Sequence, residues 1–283
     1  MADKRFQKRT LRGIWLGKAL EEIRVEAGLT ARDAAAHIRR DPSSVSRMED
    51  GRIPVSEEVL DGYLDMCGIT DPHRRADLAT IRRDAAQSGW WDGYKGDVVA
   101  TLMDRAWIES KAVSIRSLEM NSLPGLLQTP AYAEGVMRLV DPSSSDVDIA
   151  RWLEVRMTRQ HILTRHDPIG LVSVIDESLL QRVVSERVVM KAQLDYLLEA
   201  SERQNVELRV LPSSAHAGVT GSFEVFDLMD PYPEVAYVGT PAGDICVEGP
   251  TVEVLSRAYD RFLAASLDPA ASRGLIIAER DNL

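Results

Sequence analysis

"TARDAAAHIRRDPSSVSRMEDG", residues 30–51, decides the fold of the front of the chain. Thr30 can cap a helix, with Asp33 three residues on completing a capping box. Ala34, Ala35 and Ile38 supply that helix with a small inward face. Asp41 caps the next helix, and Pro42 stands at its first position, where a missing N–H costs nothing. Val45 and Met48, three apart, face inward, and Gly51 stops the helix. The outward face is then Ser43, Ser44, Ser46 and Arg47, small polar side chains beside one long cation.

Upstream, "LRGIWLGKALEEIRVEAG" places Leu16, Leu20 and Ile23 on one helical face, with Gly28 as its stop. Downstream, helices are predicted from Ser56 to about Cys67 and from Asp71 to about Ser88. Three successive helices around a tight turn, the third slim near its N-terminus, follow the helix-turn-helix design. The third helix must enter the major groove, so bulk there is excluded. Arg47 can reach the O6/N7 edge of guanine, and serine hydroxyls can meet any base. The helix N-termini at Thr30 and Asp41 suit phosphates.

The chain carries a formal charge of −10, which ought to repel DNA. Residues 1–55, however, hold 12 Lys/Arg against 8 Asp/Glu, so the acidic load lies behind them. A polyanion is therefore expected to meet the front alone. No run approaches the roughly 18 apolar residues of a membrane span. No signal-peptide core follows the N-terminus, and Cys67 and Cys246 stand apart without metal spacing. A cytoplasmic, nucleoid-associated protein is expected.

Behind "SGWWDGYKGD", residues 88–97, the pattern becomes mixed. The predicted organisation is residues 1–88 as an all-α DNA-binding domain, 89–96 as a linker, and 97–283 as a second domain. "AVSIRSLEM" alternates as a strand does, "TPAYAEGVMRLV" is a helix capped by Thr129, and "DVDIARWLEVRMTRQHILTRH" reads as one long helix. "GLVSVI", "VELRVL", "GSFEVFDL", "EVAYVG" and "DICVE" read as strands. "SERVVMKAQLDYLLEASER", "TVEVLSRAYDRFLAASL" and Pro269–Arg280 read as helices. The fold class is multi-domain: a helical front, then an α/β or α+β domain with a mixed sheet of unreadable strand order.

Position by position, residues 30–51 resemble the helix-turn-helix of the Cro/repressor (xenobiotic-response-element) family. Thr30, Ala35, Ile38, Ser43, Val45, Ser46, Glu49 and Gly51 carry the resemblance. It implies Ser43 and Arg47 as base readers, with Ser44 and Ser46 beside them. It implies Arg52 as a phosphate contact, and an Arg24–Glu49 pair tying the first helix to the third. Four positions depart from the pattern. Arg39 and Arg40 replace the turn glycine and its apolar follower, Pro42 offers no reading side chain, and Asp50 would repel a phosphate. Arg39 and Arg40, with Thr30 and Arg32, complete the expected DNA-binding set.

"SLPGLLQTPAYAEGV", "RMTRQHIL", "VIDESLLQRVV", "QLDYLLEA" and "VELRVLPSSAHAGVTGSFEVFD" occur in that order. Together they resemble the C-terminal domain of the WhiJ-like (Scr-type) regulators of actinobacteria, a domain of unknown function. The resemblance implies a DNA-binding regulator, often encoded beside a small acidic BldB-like protein that acts as its partner.

In the second domain Arg156, Arg159 and Gln160 share a helical face, and Asp176 and Glu177 end a strand. Two readings stand: a ligand or partner site at the strand's C-terminal end, or a salt-bridge network between helix and sheet. His216, in the loop "PSSAHAGVTGS", is a further contact candidate, its alternative being loop packing. His161 and His166, five apart, do not suit a metal, and Trp90, Trp91 and Tyr94 suit packing between domains better than stacking on a base. No GxSxG, HExxH, phosphate-cradling glycine loop or HxK pair occurs. No enzyme, cofactor or metal is expected. The reading is a homodimeric transcription regulator, a repressor, on a palindromic double-stranded operator. The alternative is an antitoxin-like protein that sequesters a small partner and regulates its own promoter.

Overall fold

The computed structural model describes residues 9–87, 89, 100–215, 221–240 and 243–283. It divides into two compact units, Met1–Lys95 and Gly96–Leu283. Trp90, Trp91, Tyr94, most of the expected linker and His216 lie outside the described residues.

The first unit is helical: α1 (Leu11–Glu26), α2 (Ala31–His37), α3 (Pro42–Glu49), α4 (Glu57–Met66) and α5 (Pro72–Ala86). Short polar residues start each of them. Thr10, Thr30, Asp41, Ser56 and Asp71 accept backbone N–H groups as N-caps, and Thr30 with Asp33 forms the full capping box. Leu16, Leu20, Ile23, Ala34, Ala35, Val45, Met48, Leu60, Tyr63 and Leu64 are buried together. Each large apolar side chain among them contributes about 1.5–3 kcal/mol of burial.

Between α2 and α3 the turn is held without glycine. Arg39 adopts φ +53°, while Ile38 N–H bonds Ala34 O at 3.0 Å and Arg40 N–H bonds Ala35 O at 2.9 Å. The departure seen in the sequence thus leaves the turn in the left-handed conformation a glycine would take, at a cost of about 1–2 kcal/mol for an L-residue.

The second unit is a mixed six-stranded sheet wrapped by helices. Its elements are α6 (Ala100–Lys111), β1 (Ala112–Glu119), α7 (Pro130–Val140), α8 (Asp146–Arg159), β2 (Gly170–Asp176), α9 (Arg187–Ala200), β3 (Val206–Leu211), β4 (Phe223–Leu228), β5 (Val235–Val238), β6 (Ile245–Glu248), α10 (Pro250–Ala265) and α11 (Pro269–Asp281). The strand order is β3-β2-β1-β4-β5-β6. β1, β2 and β3 run parallel, while β4, β5 and β6 add antiparallel neighbours on the other side of β1. On one face Leu118, Val174, Leu211, Val225 and Ala236 pack against Val252 and Tyr259 of α10.

Two elements differ from expectation. The segment expected as one helix over 146–166 ends at Arg159 and continues as a 3-10 turn, Gln160–Leu163. His161 therefore lies in that turn, and His166 lies beyond it, rather than on two faces of one helix. And α6 precedes β1, where the sequence reading placed no element.

Candidate nucleic-acid interface

Two buried contacts aim α3. Val45 and Met48 turn inward, and the far end of the helix rests on a glycine seat in α1. A Cβ on Gly17 would stand 2.1 Å from the Glu49 carbonyl oxygen, and one on Gly51 (φ +68°) would stand 2.6 Å from Gly13 O. Beside that seat Arg24 grips Glu49 with two hydrogen bonds, Nε to Oε1 at 2.6 Å and Nη2 to Oε2 at 2.9 Å. Arg24 Nη1 also donates to Leu29 O at 2.9 Å, and the Tyr63 hydroxyl donates to Glu49 Oε1 at 2.5 Å. The pairing with Glu49 raises the Arg24 guanidinium further, while burial and then the Glu49 bond push the Tyr63 phenol up. Arg24 and Glu49 thus fix α3 against α1. Tyr63 is a third member that the sequence reading missed, as are Gly13 and Gly17, whose four-residue spacing on α1 was the available signal.

The outward face carries the expected readers. Ser43 and Ser46 are exposed, Ser44 and Arg47 half-buried. They form a network around the cap of α3. Asp41 Oδ1 accepts from the Ser44 N–H at 2.9 Å and from the Ser43 hydroxyl; Asp41 Oδ2 accepts from the Ser44 hydroxyl at 2.5 Å. Those hydroxyls and the Ser44 N–H hold the Asp41 carboxyl far below the usual carboxylate range. Arg47 leans toward the helix N-terminus, Nη1 donating to Ser43 Oγ at 3.1 Å and Nη2 to Ser44 Oγ at 2.9 Å.

Thr30, Arg32, Arg39 and Arg40 are exposed on α2 and the turn after it. Thr30 is occupied by its cap, donating its hydroxyl to Asp33 Oδ2 at 2.6 Å. Arg52 is exposed and pairs with Asp50 at 3.1 Å, and Asp50 also pairs with Arg9 at 3.3 Å. Asp50 is thus flanked by two arginines, which offsets the repulsion its position implies.

The candidates of the second unit separate. Arg159 and Glu109 of α6 form a buried two-bond pair, Nε to Oε2 at 2.8 Å and Nη2 to Oε1 at 2.5 Å. Arg105, one turn before Glu109, bonds Glu109 at 3.3 Å, Asp244 at 2.7 Å, and Glu224 of β4. Arg156 donates to Gln128 Oε1 at 2.6 Å; burial, with Arg159 and Arg105 nearby, pulls its guanidinium down to about 10. Gln160 donates to the carbonyls of Gly125 and Gln128 at 3.1 and 2.8 Å.

Asp176 caps the 3-10 turn Glu177–Leu180 through Ser178 N–H at 2.9 Å, and Glu177 accepts from Ser213 N–H at 2.8 Å. Arg159 therefore finds its carboxylate on α6, and the bonds just given to Asp176 and Glu177 come from their own turn and from Ser213. At the end of β1, Glu119 is buried; burial, with Glu224 beside it, raises its carboxyl well above the ordinary value. "LPGLLQT", residues 123–129, forms a turn with buried leucines, and Gln193 of α9 clamps it through Leu127 O and Thr129 N–H, both at 2.7 Å.

Residues 102–278, more than half of the chain, match the model of a domain of unknown function, DUF5753. The chain belongs to the DUF5753 family. Residues 15–78 match a helix-turn-helix domain, and that match runs from within α1 to within α5 and includes the α3 surface described above. The DUF5753 match runs from α6 to α11, so it covers the sheet and the Arg105–Glu109–Arg159 network. With the helix-turn-helix in front, the matches point to a DNA-binding regulator. No curated relative and no solved structure matches the chain. Among the described residues no helix is long and apolar enough to cross a membrane.

Proposed function

We propose that this chain is a sequence-specific transcription regulator, a repressor of the WhiJ-like kind, that binds a palindromic operator as a homodimer in the cytoplasm. One observation carries the reading. Val45 and Met48 are buried and Arg24 holds Glu49, so α3 presents Ser43, Ser44, Ser46 and Arg47 outward, behind the exposed Pro42 at its head. A slim, polar, N-capped helix fixed from behind is what entry into the major groove requires. Arg32, Arg39, Arg40 and Arg52 supply phosphate contacts around it. Two such heads would meet successive major grooves about 34 Å apart. The DUF5753 domain acts in this reading as a non-catalytic receiver of a signal or of a small protein partner.

Selection from randomised duplexes with the full chain, followed by footprinting and sedimentation, tests the proposal. The expected product is an inverted repeat protected by two chains, with affinity falling steeply as salt rises. Recovery of no enriched sequence would overturn it.

A further inference from the structure

We infer that Asp41 is itself a base-reading residue: its carboxylate accepts from the N4 amine of a cytosine in the operator, beside a guanine read by Arg47. The inference rests on the DNA-binding reading above and adds to it a residue and a base.

The argument is an accounting of donors and acceptors at the tip of α3. A serine hydroxyl has one hydrogen to give and two lone pairs. Ser43 and Ser44 both give their hydrogen to Asp41, and each takes one from Arg47. What each has left is a lone pair. Asp41 itself is open to the surface, its side chain 59% exposed. Oδ1 accepts twice, but Oδ2 accepts only from Ser44, which leaves it room for another donor.

Asp41, Ser43 and Ser44 at the head of the helix therefore form a patch of acceptors, and the Arg47 fork of donors lies beside it. Arg47 Nη2 lies 4.0 Å from Asp41 Oδ1, so the two opposite demands are made side by side. In the major groove a C·G pair offers the complement: an N4 amine donor on cytosine, and O6 and N7 acceptors on guanine. Thymine, with O4 and a methyl group in place of the amine, would set an acceptor against a carboxylate. The Asp41 charge, an apparent liability near DNA, thus becomes the means of rejecting a base.

The test separates reading from capping, because Asn and Ser cap a helix as well as Asp does. Full-length wild type, Asp41→Asn and Asp41→Ser are put through the same duplex selection. Each is then measured on the selected site and on versions with single C-to-T changes, after circular dichroism shows equal helix content and melting. Wild type should select a cytosine at one position per half-site and lose about tenfold or more when it becomes thymine. In both variants that preference should fall to threefold or less, while preferences elsewhere in the site persist. Variants that keep the cytosine preference, or gain affinity equally for every sequence, overturn the assignment and leave the regulator reading standing. A wild type that selects no site at all sinks the regulator reading, and this inference with it.

Discussion

The two ends of α3 each carry a carboxylate that meets an arginine, and they do opposite work. At the C-terminal end Glu49 and Arg24 are buried, with side chains 7% and 10% exposed, and are bonded also by Tyr63. At the N-terminal end Asp41 and Arg47 are 59% and 38% exposed and are linked through two serines. Residue type does not distinguish the pairs; burial does. The inner pair has no water to fall back on, so breaking it leaves a charge unsolvated. The outer network exchanges its bonds with water at little cost, so it can exchange them with a base. One short helix is thereby rigid where it is held and adaptable at its exposed end.

The largest effect should come from the inner end. Glu49→Ala leaves the Arg24 guanidinium and the Tyr63 hydroxyl buried without their acceptor, and should cost about 3–5 kcal/mol. Hydrogen exchange of α1 and α3 in the full chain would measure it. Gly17→Ala comes next, because a methyl group would overlap the Glu49 carbonyl and push α3 off its seat. A loss of about 3 kcal/mol is expected, at the upper end for overpacking. A wild-type melt for either variant would mean that α3 is held elsewhere.

At the outer end the expectation changes from stability to specificity. Arg47→Ala should leave melting within about 0.5 kcal/mol of wild type. It should lose about 1–3 kcal/mol of discrimination per half-site. Binding isotherms on the selected operator and on single-base variants would report this. Full discrimination in that variant would remove Arg47 from the readers.

The same contrast marks what could be read in the sequence. The caps Thr30, Asp41 and Ser56 and the stop at Gly51 act through local hydrogen bonds and backbone sterics, so their positions in the chain suffice. The apolar residues of α1 and α3 recur at helical spacing for the same reason. α6 escaped because Arg105 and Glu109, polar in any sequence pattern, point into the sheet and are satisfied by Glu224 and Arg159, distant in sequence. The early end of α8 is also non-local: Gln160 reaches the carbonyls of Gly125 and Gln128. Strand order depends on pairings such as Ser117 with Glu224, which no local pattern encodes. The outward serines were legible as a surface, but that Ser43 and Ser44 give their hydrogens to Asp41 was not.

Two carboxyls, Asp41 of the first unit and Glu119 of the second, answer pH in opposite directions. Asp41 titrates below its ordinary range, so its share of stability is present at neutral pH and is lost as acid protonates it. Glu119 titrates above its ordinary range because it is buried beside Glu224, with Asp244 adding to the rise and Arg105 opposing it. Its native form holds a proton that the unfolded chain has released, so stability falls as pH rises between the two values. The slope there reaches about 1.4 kcal/mol per pH unit. Hydrogen exchange of the full chain at stepped pH should show the sheet loosening as pH rises through that window. Glu119→Gln should flatten the response. An unchanged slope in that variant would assign it to another group.

The smallest effect tests the turn between holding and reading. Arg39 sits at φ +53°, where an L-residue is strained by about 1–2 kcal/mol. Glycine removes that strain but costs about 0.5–1 kcal/mol of backbone freedom. Arg39→Gly should therefore stabilise the first unit by up to about 1 kcal/mol. It should at the same time weaken operator binding and reduce the salt slope by about one, since one of the exposed arginines proposed to meet the phosphates is gone. Stability and affinity would then move in opposite directions at one residue. The strain would be retained because the arginine binds DNA, and unchanged salt dependence in Arg39→Gly would leave it without that purpose.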